Sequence, residues 1–300
     1  MTEVIEPREV PLGGPRAMTV RRTLPQKQRS LIGAWCFVDH YGPDDVADTG
    51  GMVVPPHPHT GLQTVSWLFE GEVEHRDSTG AHALVRPGEV NLMTAGHGIA
   101  HSEVSTPSTT RLHGVQLWVA LPAAHRETTP GFEHHVPDVV AVDGATVRAF
   151  VGAYAGSTSP VRTYSPLLGA EVALLGDGPV SLDLDPAYEH GLLVDGGDVE
   201  VDGTRLAHGQ LGYLEPGRAS TTVRGSAGVR LLLLGGTPFG EAIVMWWNFV
   251  GRSHDDVAEQ RAAWQARSAR FGEVPGYVGD PTWLPAPDLP NVRLRPRGNP

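Results

Sequence analysis

The sequence predicts an all-β protein built from two copies of one barrel-like unit, followed by a single helix. Three observations carry this expectation. Glycine (37) and proline (26) make up about a fifth of the 300 residues, which suits many short strands joined by turns and argues against helical bundles. Short β-rich apolar segments recur with Gly or Pro-Gly between them, as in a sandwich or barrel. Two segments of the first half are also echoed, in the same order, in the second half.

Taken in order, residues 1 to 30 read as an extended entry segment in which Val20-Arg21-Arg22-Thr23-Leu24 alternates weakly. From Ile32 to Leu121 the pattern is dense β: Thr64 to Phe69, Ala83 to Val85, Val90 to Met93 and Val115 to Leu121, punctuated by Gly71, Gly80, Pro87-Gly88 and Gly96. The single cysteine, Cys36, lies in the apolar run Leu31 to Val38 and reads as a buried structural thiol. Residues 122 to 145 carry the chain out of this unit. The boundary is placed after residue 128, giving an N-terminal metal-binding domain (1–128) and a C-terminal domain without a metal site (129–300).

The echoes pair Trp67 to Glu74 with Leu193 to Glu200, and Pro87 to Gly96 with His208 to Gly217. Sliding them back sets Asp183 and Asp185 opposite His57 and His59, and Thr222 and Arg224 opposite His101 and Glu103. An arginine at a ligand position repels a cation, so the second copy is expected to lack the site. Ser253 caps a helix from Asp255 to about Arg270, with Asp255, Asp256 and Glu259 at its positive end and Gly272 beyond its close. The tail from Val274 to Pro300 reads as extended or partly disordered, with helix and tail packed over a neighbouring unit.

The formal charge of −11, from 23 basic and 34 acidic residues, disfavours a phosphate-tracking surface and hence direct nucleic-acid binding. One cysteine allows no intramolecular disulfide, which fits a reducing compartment. No secretory signal is visible, and no apolar run approaches the ~20 residues of a membrane span. A cytoplasmic, monomeric protein is expected, without membrane contact.

The candidate site lies in Pro55-Pro56-His57-Pro58-His59-Thr60-Gly61 and Gly96-His97-Gly98-Ile99-Ala100-His101-Ser102-Glu103. In extended chain alternate side chains share a face, so His57 and His59 project together, as do His101 and Glu103. Seven of the fourteen histidines fall between 57 and 113 (His57, His59, His75, His82, His97, His101, His113), which favours a site over scattered surface residues. Three imidazoles and a carboxylate suit Fe(II), Mn or Ni better than a thiolate-loving metal. A structural zinc site would be closed, often with cysteine, whereas four ligands on an octahedral ion leave two positions for substrate and water or O2. His75 and Asp77 share a face and either hydrogen-bond a ligand or form a satisfied polar pair at a turn. His97 either lines the pocket or sits on a loop. The Gln63 amide is expected to hold a bound water or to pair with backbone.

These stretches resemble the pirin family of the cupin superfamily, together with Phe37-Val38-Asp39-His40-Tyr41-Gly42-Pro43, His75-Arg76-Asp77-Ser78-Thr79-Gly80 and Met245-Trp246-Trp247-Asn248-Phe249-Val250. The resemblance spans about residues 20 to 275. It implies two stacked cupin (jelly-roll) β-barrels, the N-terminal one holding one mononuclear iron through His57, His59, His101 and Glu103, with Ni, Mn, Co or Zn as alternatives. It further implies either a quercetin 2,3-dioxygenase-like activity on a flavonol-like substrate, with Glu103 as both ligand and base, or an iron-dependent, redox-sensing regulator that docks on a transcription factor or metabolic enzyme. Gln63 stands where many cupins carry glutamate, which leaves Glu103 the sole carboxylate expected at the metal.

Overall fold

The computed structural model describes residues 2–12 and 18–299; Pro300, the end of the expected tail, lies outside them. The regular structure of the described chain is strand throughout, apart from one helix at His254–Gln265. It divides into two compact units. One comprises the described residues of Met1–Glu9, Arg21–Val38 and His135–Phe239, the other those of Val10–Val20, Asp39–His134 and Gly240–Pro300. The units therefore interleave along the chain, where the sequence reading drew a single cut after residue 128. Strand Glu3–Ile5 is the reason at one end: it pairs antiparallel with Leu211–Leu214, so the N-terminal segment completes a sheet of the later β unit. The helix and tail, in turn, belong with the earlier one.

In the histidine-bearing unit a four-stranded sheet runs in the order Val53–His59, Ile99–Ser105, Val73–Asp77, His82–Val85. Pro55, Pro56 and Pro58 cannot donate to a ladder, which suits Val53–His59 to the sheet edge it occupies. In a second sheet, strand Leu62–Glu70 lies between Val90–Thr94 and Arg111–Ala120. These strands fall where the β-rich segments predict them, a residue or more longer. Cys36 is buried and in no disulfide, as expected.

The other unit repeats the order. Pro179–Asp183, Ser220–Gly225, Val199–Val201 and Thr204–Leu206 form its four-stranded sheet, and Leu211–Leu214, Glu189–Asp195 and Arg230–Gly236 are neighbours in its larger one. Topology thus supports the duplication, but the register of the repeat corrects the sequence reading. Along Pro179–Asp183 burial alternates, with Val180 and Leu182 inside and Pro179, Ser181 and Asp183 exposed. Along Ser220–Gly225, Thr221 and Val223 are buried while Arg224 is exposed. Asp183 and Arg224 therefore point outward, and Thr222 shares Arg224's face; a slip of one residue exchanges the faces of a strand. Asp185 sits in a turn, accepting from the Ala187 N–H. Val180, Leu182 and Val223 belong to the apolar core of that unit, so hydrocarbon fills their inward positions.

The helix starts where predicted. Ser253 Oγ accepts from the Asp256 N–H and the Asp256 carboxylate accepts from the Ser253 N–H, a complete capping box. It ends at Gln265, some five residues short of expectation, because Arg267 takes a left-handed conformation (φ 52°). Val257, Gln260 and Trp264 are its buried residues, and Val257 and Trp264 pack with Phe249, Phe271 and Ala286. Ser253→Ala is expected to cost about 1 kcal/mol of stability, measurable by urea denaturation. The tail is tied down: Leu284 N–H donates to Pro56 O (2.9 Å), Trp264 Nε1 to Leu284 O (2.8 Å) and Arg261 to Pro287 O and Asp288. Among the described residues no helix is long and apolar enough to cross a membrane.

Candidate metal centre

Antiparallel pairing of Ile99–Ser105 with Val53–His59 sets His101 opposite His57 and Ile99 opposite His59. The ring centroids are 4.3 Å apart for His57–His101 and 5.0 Å for the other two pairs. One nitrogen from each ring lies within 4.8 Å of the others, and the side chains are 5%, 2% and 1% exposed for His57, His59 and His101.

The hydrogen bonds decide which nitrogens converge. His57 Nδ1 lies 2.9 Å from Pro55 O and His59 Nδ1 lies 3.2 Å from Asn248 O. A carbonyl only accepts, so each Nδ1 carries the proton and each Nε2 presents a lone pair. On the far side of His101 a chain of polar groups does the same work. His75 Nε2 is 3.0 Å from Asp77 Oδ2, and His75 Nδ1 is 3.4 Å from His101 Nδ1. With Asp77 ionised, His75 donates from Nε2 and accepts at Nδ1, so His101 donates from Nδ1 and its Nε2 is left bare. That atom is buried and has no hydrogen-bond partner. A buried polar atom without a partner is costly, and a cation bound by the three Nε2 atoms would satisfy it. The donor set therefore fits a divalent transition metal.

Electrostatics agree. Burial lowers His57 to about 4, against a weaker upward pull from the Pro55 carbonyl. Burial also holds His59 and His101 well below the ordinary value, with the neighbouring imidazoles adding to it. Neutral imidazole is the form a metal binds. Burial opposes ionisation of Asp77, but hydrogen bonds from His75 and Thr79 outweigh it and keep the carboxyl below its usual range.

Glu103 is buried on the same strand, but its carboxylate does not join the three nitrogens within 4.8 Å. A register shift between His101 and Glu103 sets Glu103 against Val54 on one side and His75 on the other. Burial raises its pKa, and the nearby His75 and a hydrogen bond with Ser66 work against the rise. Gln63 stands apart from the site. Thr64 is registered with Trp118, whose ring touches His59 at 5.1 Å, whereas Gln63 alternates to the other face and donates to Thr94 Oγ1 (2.9 Å). His97 sits in a loop whose backbone donates to Thr128 O and accepts from Arg270 Nε.

The carbonyls of Pro55 and Asn248, and the ring of Phe132, were not assigned to the site from sequence, whereas Trp118 was read as core and pocket wall. Phe132 stacks on His75 at 4.6 Å. Backbone acceptors carry no residue-type signal, and Phe132 lies outside the histidine-bearing stretches. We expect His75→Phe to keep that stacking and the fold but to lower metal affinity about 10- to 100-fold, the usual effect of removing a ligand's hydrogen-bond partner. Competition with a chelator measures it.

A β unit with three inward imidazoles converging between two strands is the arrangement of the cupin class. Comparison with known proteins narrows this. Residues 17–119 match the family profile described as Pirin, and residues 169–272 the Pirin C-terminal cupin domain. The chain belongs to the pirin family. It is 47% identical to a Pseudomonas aeruginosa protein named as a candidate quercetin 2,3-dioxygenase, over 94% of this chain and 89% of that one. A pirin-like protein of Caulobacter vibrioides is 37% identical, over 85% of this chain and 91% of its own length. Among solved structures, a quercetin 2,3-dioxygenase from Acinetobacter baumannii superposes with a TM-score of 0.93 at 40% identity, covering 100% of this chain and 98% of that one.

Proposed function

We propose that this pirin is a metal-dependent dioxygenase of the quercetin 2,3-dioxygenase type, acting on a flavonol-like substrate. His57, His59 and His101 would hold one metal ion, Fe(II) by preference, with Glu103 as the proposed fourth ligand. The observation that carries this reading is the convergence of three buried imidazoles, His57 and His59 with Nδ1 on a carbonyl and His101 with a buried Nε2 that has no partner, in a chain similar along its whole length to a solved quercetin 2,3-dioxygenase.

A bound metal would supply Lewis acidity toward a flavonol oxygen and a meeting point with O2. The chain's own groups do the rest. Pro55 O, Asn248 O and the His75–Asp77 pair hold the imidazoles in the ligating tautomer. Trp118, against His59, gives the site an apolar wall suited to a planar ring. Glu103 accepts the proton of the flavonol 3-hydroxyl, with Ser66 holding its carboxylate by a hydrogen bond.

The test is reconstitution with Fe(II), Ni, Mn or Co under controlled oxygen, following quercetin loss and carbon monoxide release. Turnover with at least one metal is the expected result. Full occupancy without turnover would remove the dioxygenase reading for this substrate and leave that of a metal-bearing regulatory protein.

A further inference from the structure

Each ligating imidazole needs an acceptor for its Nδ1 proton, and the three acceptors come from different parts of the chain. His57 uses Pro55 O on its own strand, and His101 uses His75 on the adjacent one. His59 instead uses Asn248 O, 189 residues further along. Asn248 forms a two-residue turn with Trp247, between the paired residues Trp246 and Phe249 of strands Val244–Trp246 and Phe249–Gly251.

This hairpin is pressed against the turn that follows His59. Val250 N–H donates to Thr60 O (3.0 Å), Thr60 and Phe249 form a parallel bridge, and a Cβ at Gly61 would stand 2.1 Å from Val250 O. Phe249 joins Val257 and Trp264 of the helix, and Phe271 beyond it, in an apolar cluster that includes Ala100, the residue before His101. Arg252, just past the hairpin, donates to Leu121 O (2.6 Å) and Glu241 Oε2 (2.7 Å). Trp247 takes a left-handed backbone (φ 50°), which a residue with a Cβ adopts only at a cost. That cost falls at the turn that presents Asn248 O to His59.

Hairpin docking and metal binding select the same tautomer of His59, with the proton on Nδ1 and the lone pair on Nε2. Coupling between two such events is reciprocal. We infer that the hairpin Val244–Gly251, with the helix behind it, is a latch on the metal centre: when docked it tightens the hold of His59 on the ion, and the bound ion keeps it docked. Loss of the ion loosens the hairpin. The inference rests on the assignment of the metal to His57, His59 and His101.

Co(II) is the probe, added to the metal-free full-length protein. In the unaltered chain, amide hydrogen exchange at Phe249–Gly251 should slow about tenfold on Co(II) binding, within the usual range of coupling between sites. Strand Arg111–Ala120 of the same unit should change much less. Trp247→Pro fixes φ near about −65° and so cannot form this turn. Competition with a chelator should show Co(II) held about 10- to 100-fold more weakly in that variant, with the far-ultraviolet circular dichroism retained. Should the variant not fold, exchange in the unaltered chain decides. No uptake of Co(II) by the unaltered chain would remove the metal assignment itself. Uptake with exchange at Phe249–Gly251 unchanged, or slowed no more than along Arg111–Ala120, overturns the latch and leaves the metal centre standing. Trp247→Pro holding Co(II) as tightly as the parent does the same.

Discussion

His101→Ala should purify folded and nearly free of metal. His101 supplies the one ring nitrogen of the cluster that is buried with no partner, and the Ile99–Ser105 strand places it between His57 and Asp77 in the ladder. Alanine leaves that backbone pairing in place. The structural cost is a small cavity and an open His75 Nδ1, about 1–3 kcal/mol against the roughly 5–15 kcal/mol of a typical fold. The metal loses one of three nitrogens, so affinity should fall well beyond the 10- to 100-fold that follows loss of a ligand's hydrogen-bond partner. Metal per chain by atomic emission, with circular dichroism as the folding check, decides it. His82→Ala is the control, because His82 is exposed and pairs with Glu74; its metal content should match the parent's. Unchanged metal in His101→Ala would remove the assignment of this cluster.

The imidazole cluster was legible because strand alternation is a rule of the backbone: His57 with His59 and His101 share a face wherever those segments are extended. The chain order of the duplicated sheets was legible for a similar reason, since turns and apolar segments recur. The register of the second copy was not. Turn-based echoes locate a strand to within a residue or two, and one residue decides whether Arg224 or Val223 faces the core. The register shift between His101 and Glu103 is likewise invisible in a linear pattern. Gln63 was placed at the site by its closeness in sequence to His59, but the turn at Gly61 (φ 69°) starts a different strand there, whose own alternation turns the amide toward Thr94. The interleaving of the units rests on Glu3–Ile5 joining Leu211–Leu214, a pairing across some two hundred residues that no local signal announces.

The acid limb of the stability curve should be set in part by His190. This side chain is 1% exposed in strand Glu189–Asp195, against Gly235, and both its ring nitrogens are buried without a hydrogen-bond partner. Burial lowers its pKa to about 4, against a weaker upward pull from Asp185. The unfolded chain has the ordinary histidine value near 6.5, so between about pH 6.5 and 4 the unfolded state binds the proton and the folded state does not. Stability therefore rises with pH across that window and falls on acidification, by about 2 kcal/mol at pH 5. His190→Leu and His190→Gln both remove the titration while differing in polarity. Compared in the metal-loaded protein, each should show a shallower loss of stability than the parent between pH 7 and 5, by about that amount, whatever its offset at pH 7. Leucine should show the smaller offset because it leaves no polar atom open. Denaturant titrations at pH 7, 6 and 5 measure the slopes; parallel slopes in parent and both variants would show that His190 is protonated as readily in the fold as outside it.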